Sequence, residues 1–166
     1  MTKPSLHLSN KFFKISISTK DFIIEKEYQE LLKRSKKLGS VVFFCGIVRA
    51  DNISKSGNQK VNAIFIEHYP KMTEKSLVEI VNLARTKFKI KAITIIHRIG
   101  KLAVGEQIVF VGVTSLHRLE SFRATEFIID YLKTNAPFWK KEINDKNSNW
   151  VEAKTTDQNK KANWEK

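Results

Sequence analysis

The stretch QIVFVGVTSLHRLESFRATEFIIDYLKTNAP, residues 107–137, decides the fold class. Its first part, Gln107 to Thr114, is an apolar run rich in β-branched residues and reads as a buried strand. From Leu119 to Thr134 the period changes. Phe122, Phe127, Ile128, Tyr131 and Leu132 recur at helical spacing, which predicts an amphipathic helix, and Pro137 prevents it from continuing. Upstream, Ala92 to Ile96 is a second strand, joined to the first by a turn containing Gly100 and Gly105. Before it, Thr73 to Phe88 places Leu77, Ile80, Val81, Ala84 and Phe88 on one helical face. Val61 to Tyr69 alternates as a strand that Pro70 stops, and the polar residues 50–60 read as a mobile loop. Ser40 to Arg49 is a further apolar strand. Gly39 ends a helix over about residues 21–37, with Thr19 as its cap, and Lys11 to Ser18 is the first strand. Near the end a short strand is expected at Trp150 to Ala153.

Strands and helices therefore mix without regular alternation, which favours α+β over a doubly wound sheet. With no repeat, low-complexity tract or Pro/Ser linker, one domain over residues 11–155 is the economical reading. Residues 1–10 form a flexible N-terminal tail on this reading, and residues 156–166 a polar C-terminal tail.

Composition narrows the function classes. The chain has 166 residues, 42% hydrophobic and 28% charged, which is globular usage. No apolar run reaches the ~18–20 residues that cross a bilayer, and the first ten residues lack a secretory signal. No membrane role is expected, and the cytoplasm is the expected compartment. A single cysteine, Cys45, excludes an intrachain disulfide and a cysteine metal cluster. It lies in Val41-Val42-Phe43-Phe44-Cys45 and reads as a small core hydrophobe. Lys and Arg outnumber Asp and Glu 30 to 17, a formal charge of +13 that favours an anionic partner. The lysines form no single stripe, so a generally basic solvated surface accounts for many of them equally well.

Four local features carry chemical potential. Arg49 ends an apolar strand beside the polar loop, where a guanidinium forks well onto phosphate or carboxylate. Ser115-Leu116-His117-Arg118 precedes a helix, so the first-turn amides and Arg118 make an anion site of a common kind; a plain helix cap explains the segment equally well. Lys133 and Lys140 flank a proline turn beside Phe138 and Trp139, where a lysine becomes a better nucleophile or base; Lys133 alternatively only complements the helix dipole. Glu67-His68 is too short to define a metal site, because neighbouring strand residues face opposite ways, and His68 reads as structural.

Taken together, Glu67-His68-Tyr69-Pro70-Lys71-Met72-Thr73-Glu74-Lys75, Ile96-His97-Arg98-Ile99-Gly100, Ile108 to Ser115, His117-Arg118 and Asp130 to Glu142 closely resemble the large subunit of molybdopterin synthase. Trp150-Val151-Glu152-Ala153 fits as well. The resemblance covers about residues 38–160 in order; residues 1–37 match only in general pattern. It implies an α/β-hammerhead-like α+β fold, a mixed sheet with packed helices. It also implies a central homodimer with a small ubiquitin-like subunit docked on each large one, a heterotetramer in all. The small subunit's Gly-Gly tail would bring a thiocarboxylate, and sulfur would pass in two rounds to cyclic pyranopterin monophosphate, forming the dithiolene of molybdopterin. No cofactor, metal or nucleic acid is implied.

By resemblance, Lys133 and Lys140 match the catalytic lysines, and Arg49, His117 and Arg118 match the substrate pocket. Ile47, Val48, Lys141 and Glu142 lie at positions counted with it. Many relatives carry Lys where this chain has Ile47, and some carry Met where it has Ile129; neither change removes one of these charges. A small RNA-binding protein is the rival from charge and aromatic content, and a non-catalytic scaffold subunit is a third reading. If residues 119–133 form one straight helix, Arg118 and Lys133 stand about 22 Å apart, at about 1.5 Å per residue. Their sharing of one substrate then calls for a site built across a two-fold axis.

Overall fold

Ile93 and Ile95 face one side of a strand and Ala92 and Ile96 the other, yet all four are buried. That strand must have helices on both faces. The computed structural model describes residues 6–50, 61–145, 147–151 and 155–164, and it shows how this is achieved. Among those residues the strands are β1 (Leu6–Ser9), β2 (Phe13–Ser18), β3 (Ser40–Ile47), β4 (Ala63–His68), β5 (Ile90–Arg98), β6 (Gly100–Ala103), β7 (Gln107–Ser115), β8 (Phe138–Ile143) and β9 (Ser148–Val151). The helices are α1 (Ile24–Arg34), α2 (Pro70–Lys87), α3 (Arg118–Asn135) and α4 (Thr155–Ala162).

One sheet has the order β1-β2-β5-β7-β3, with β2 and β5 parallel and the other pairs antiparallel. Beneath α1, Leu31 packs with Phe22, Ala92, Ile96 and Phe110. On the opposite face, Ile93, Ile95, Val111 and Val113 meet Leu77, Ile80 and Val81 of α2 and Phe127 and Ile128 of α3. Each of these fully buried aliphatic side chains stabilises the fold by about 1.5–3 kcal/mol relative to exposure. The second sheet, order β6-β4-β8-β9, is antiparallel throughout.

The α+β class stands, but several local expectations are corrected. The turn between β5 and β7 contains β6, because the chain bends at Gly100 (φ 84°) and pairs with β4 in the second sheet. Residues 6–9 of the expected tail form β1. Asn10 accepts the amides of Phe12 and Phe13 at 2.8 and 2.9 Å, a turn that folds Leu6–Ser9 back onto β2. α1 begins at Ile24 without a side-chain cap, far from Thr19. The preceding Asp21 is held instead by Gln107 Nε2 at 2.9 Å. Gly39 does not close α1, which ends at Arg34. A Cβ at Gly39 would collide with the Leu116 carbonyl, so the glycine permits a close backbone approach. The expected polar C-terminal tail carries α4 and then Trp164, whose ring packs edge-on to Phe88 and Phe127 and whose indole donates to Asp130 at 2.8 Å. An aromatic anchor, joined by the Lys133–Asp157 pair and by Lys87 donating to the Trp164 carbonyl, docks an otherwise polar segment. Most of the expected mobile loop, residues 51–60, and part of the short strand expected at 150–153 lie outside the described residues.

Candidate functional site

α3 separates two of the three groups into which the expected site residues fall. It is a single helix of 18 residues, with Arg118 at its first position and Lys133 in its last turn. At its N-terminal end β7 finishes in buried Ser115, while Leu116, His117 and Arg118 emerge exposed. Ser115 does not cap the helix by the expected geometry. His117 is the N-cap residue and has no side-chain cap bond; the Ser115 hydroxyl donates to the Lys89 carbonyl at 2.8 Å. His117 and Arg118 line an open concavity with Gly39, Leu116, Leu119 and Phe122. Phe122, expected on the core face, is 61% exposed there. Helical spacing cannot tell a core aromatic from one at the edge of the buried stripe. Exposed amides at the helix start and the Arg118 guanidinium together suit an anion.

At the other end, Asn135 and Ala136 lead into a tight turn. Phe138 N–H donates to the Ala136 carbonyl at 2.8 Å across Pro137, and the Thr73 hydroxyl donates to the Pro137 carbonyl at 3.1 Å. This turn converts the helix directly into β8, an interior strand between β4 and β9. Lys133 Nζ is 3.7 Å from Asp157 of α4, and Lys140 Nζ is 3.3 Å from Glu142. Lys140 and Glu142 share one face of β8, while Lys141 takes the opposite face, over the Trp150 ring at 5.5 Å. Lys141 is therefore not brought together with Lys140.

The third group lies where β3 ends. Ile47 is exposed, Val48 is buried at 3% exposure, and Arg49 is exposed. In the β3–β7 ladder Ser40 lies opposite Ser115 and Ile47 opposite Gln107. Arg49 thus leaves from the end of the ladder remote from Arg118, about 20 Å or more away at about 3.4 Å per strand residue. Cys45 is half-buried rather than core. Its thiol lies 3.5 Å from Gln107 Oε1, and burial, followed by the nearby Asp21 charge, pushes its pKa up, away from thiolate reactivity.

Sequence reasoning missed three features. The imidazole of His97 stacks on Phe138 with ring centres 3.8 Å apart, and Nδ1 donates to the Arg98 carbonyl at 2.8 Å. Burial, only partly offset by that hydrogen bond, lowers its pKa to about 4. Buried Arg98 binds the Gln107 carbonyl at 2.9 Å and Glu106 at 3.0 Å. Both residues belong to the quoted segment Ile96 to Gly100, a signal to which no role was attached. Asp157, the partner of Lys133, carried no signal in its polar surroundings.

Comparison with known proteins places these features in context. The model of the family described as "MoaE protein" matches residues 17–135, so the likeness begins well before residue 38. The molybdopterin synthase catalytic subunit of Escherichia coli (strain K12) is 48% identical over 151 residues, 91% of this chain and 97% of that one. The molybdopterin cofactor biosynthesis protein E structure from Burkholderia multivorans is 38% identical with a TM-score of 0.77, covering 93% of this chain and 98% of that one. The molybdopterin synthase structure from Staphylococcus aureus is 29% identical with a TM-score of 0.75, over 87% and 99% of the two chains.

Proposed function

The chain belongs to the MoaE family, and we propose that it is the catalytic subunit of a molybdopterin synthase, the sulfurtransferase that forms the dithiolene of molybdopterin. The observation that carries this reading is near end-to-end similarity to a molybdopterin synthase catalytic subunit. Its substrates are cyclic pyranopterin monophosphate and the thiocarboxylated C-terminal Gly-Gly tail of a small ubiquitin-like subunit, and it works in the cytoplasm. Both substrates are anionic, and the chain's excess of cations suits both.

Lys133 and Lys140 are the catalytic residues in this reading. Lys133 either transfers a proton or attacks the acyl group of the tail transiently. His117 and Arg118 of one protomer and Arg49 of its partner bind the pterin's phosphate, while Lys133 and Lys140 also stabilise the anionic tetrahedral intermediates as sulfur leaves the acyl carbon. Ile47, Val48 and Glu142 shape the pocket, and Lys141, turned to the far face of β8 over Trp150, lies beside it rather than in it. The site is composite, with His117 and Arg118 of one protomer facing Lys133 and Lys140 of its partner across a two-fold axis. The length of α3 supports this, because Arg118 and Lys133 are separated by about 22 Å of one helix.

The test is reconstitution. Purified chain, thiocarboxylated small subunit and cyclic pyranopterin monophosphate should yield the dithiolene product. A folded chain that binds the small subunit and gives no product overturns the catalytic assignment.

A further inference from the structure

We infer that Glu106, held in place by buried Arg98, is a positioning residue for the substrate's anionic group and acts through Val48 on Arg49. The inference rests on the reading of Arg49 as a pocket residue. The β3–β7 register breaks at Gly46/Ile47, and Ile47 is the last residue of β3. Val48 is held by the turn that leads into β7. Its N–H donates to the Glu106 carbonyl at 2.9 Å, and its carbonyl accepts the Gly105 N–H, also at 2.9 Å. Val48 is thus bonded on both sides and buried, and the backbone of Arg49 departs directly from it.

The turn is itself tied by charge. Glu106 Oε1 accepts Arg98 Nη2 at 3.0 Å, and Oε2 accepts the Ala103 N–H at 2.5 Å. Arg98 Nη1 also reaches the Gln107 carbonyl at 2.9 Å and lies 3.4 Å from Asp21. The Ala103 amide, and after it Arg98, lower the Glu106 pKa, so both of its oxygens remain acceptors. The substitution Glu106→Gln breaks this arrangement. An amide offers one acceptor and one donor group, so either the Ala103 N–H or Arg98 would face an NH₂. The side chain keeps its size, the turn loosens, and Arg49 loses its fixed point of departure. Gly105 offers an independent way to disturb the same turn. Its φ is +89°, and a Cβ there meets no atom within 4 Å, so Gly105→Ala strains the backbone alone.

The test is a double-mutant cycle in the reconstituted enzyme, with thermal unfolding to establish that each variant is folded. Arg49→Ala should raise the KM for cyclic pyranopterin monophosphate. Glu106→Gln should raise it by about 5–10-fold, the scale of one lost hydrogen bond, with kcat little changed. In the Arg49→Ala background, Glu106→Gln should add nothing further to KM. Gly105→Ala should reproduce the pattern and serves if Glu106→Gln does not fold. If Arg49→Ala raises KM but the turn variants leave it unchanged, add to it independently or lower kcat alone, the inference fails and the pocket reading stands. If Arg49→Ala leaves KM unchanged, the pocket reading of Arg49 fails, and the inference falls with it.

Discussion

Coexpressing an Arg118→Ala chain with a Lys133→Ala chain should restore activity well above that of either variant alone. Both residues lie on α3, fifteen steps apart. At about 1.5 Å and 100° per residue this gives about 22 Å along the axis and a net rotation of about 60°. The two side chains therefore leave the same side of the helix, but the axial gap remains. Arg118 lines the concavity with Gly39 and Phe122, whereas Lys133 lies beside Asp157 of α4. On the proposed phosphate-binding role, Arg118→Ala should cost a charge-assisted contact of about 1.5–3 kcal/mol and raise KM by about 10–150-fold. On the proposed catalytic role, Lys133→Ala should lower turnover by about 10²–10⁴-fold, the scale of a lost general acid–base group. In a two-fold dimer with shared sites, a mixed dimer has one doubly damaged site and one intact site. One intact site of two means that isolated heterodimers should reach about half of wild-type activity per site, and the unfractionated random mixture about a quarter. The assay is dithiolene formation at substrate well below KM, using heterodimers isolated through a different tag on each chain. Isolated heterodimers no more active than the better parent would refute the shared site.

Three other perturbations test separate parts of the reading. Lys140→Ala, which also removes the partner of Glu142, should lower kcat, and both lysine variants should retain small-subunit binding, since one side chain is a minor part of a protein interface; wild-type rates in Lys133→Ala would end its catalytic assignment. Cys45→Ala should keep most sulfur transfer, because the half-buried thiol is held in its protonated form; a persulfide on Cys45 required for turnover would contradict this. His97 titrates near pH 4 when folded, against an ordinary value of 6.5. The unfolded chain therefore binds more protons between those values, so stability should rise with pH through this window and fall by up to about 3 kcal/mol toward pH 4. His97→Phe should flatten that slope in denaturant titrations at pH 4–6.5, and an unchanged slope would remove His97 as its source.

What repeats locally can be read before any fold is known. The helical faces Leu77-Ile80-Val81-Ala84 and Phe127-Ile128-Tyr131-Leu132 are buried as their spacing predicts. Gln107 to Thr114 is a strand, buried from Phe110 onward, and α3 runs unbroken from Arg118 to beyond Lys133. Periodicity over a dozen residues needs no distant partner to be read, and the likeness carried by Asp130 to Glu142 needs none either. Features that join residues far apart in the chain arise only once the sheets and helices have assembled. β6 and β8 became strands because β4 lay between them as a partner. β8 then sent Lys140 and Lys141 to opposite faces. Asp157 came to Lys133 because Trp164 docked α4 against α3. The turn that Arg98 and Glu106 tie together meets Val48 because the β3–β7 ladder brings that distant segment to it. A hydrogen-bond donor's type is written in the sequence, but its acceptor is chosen only when folding closes the loop between them.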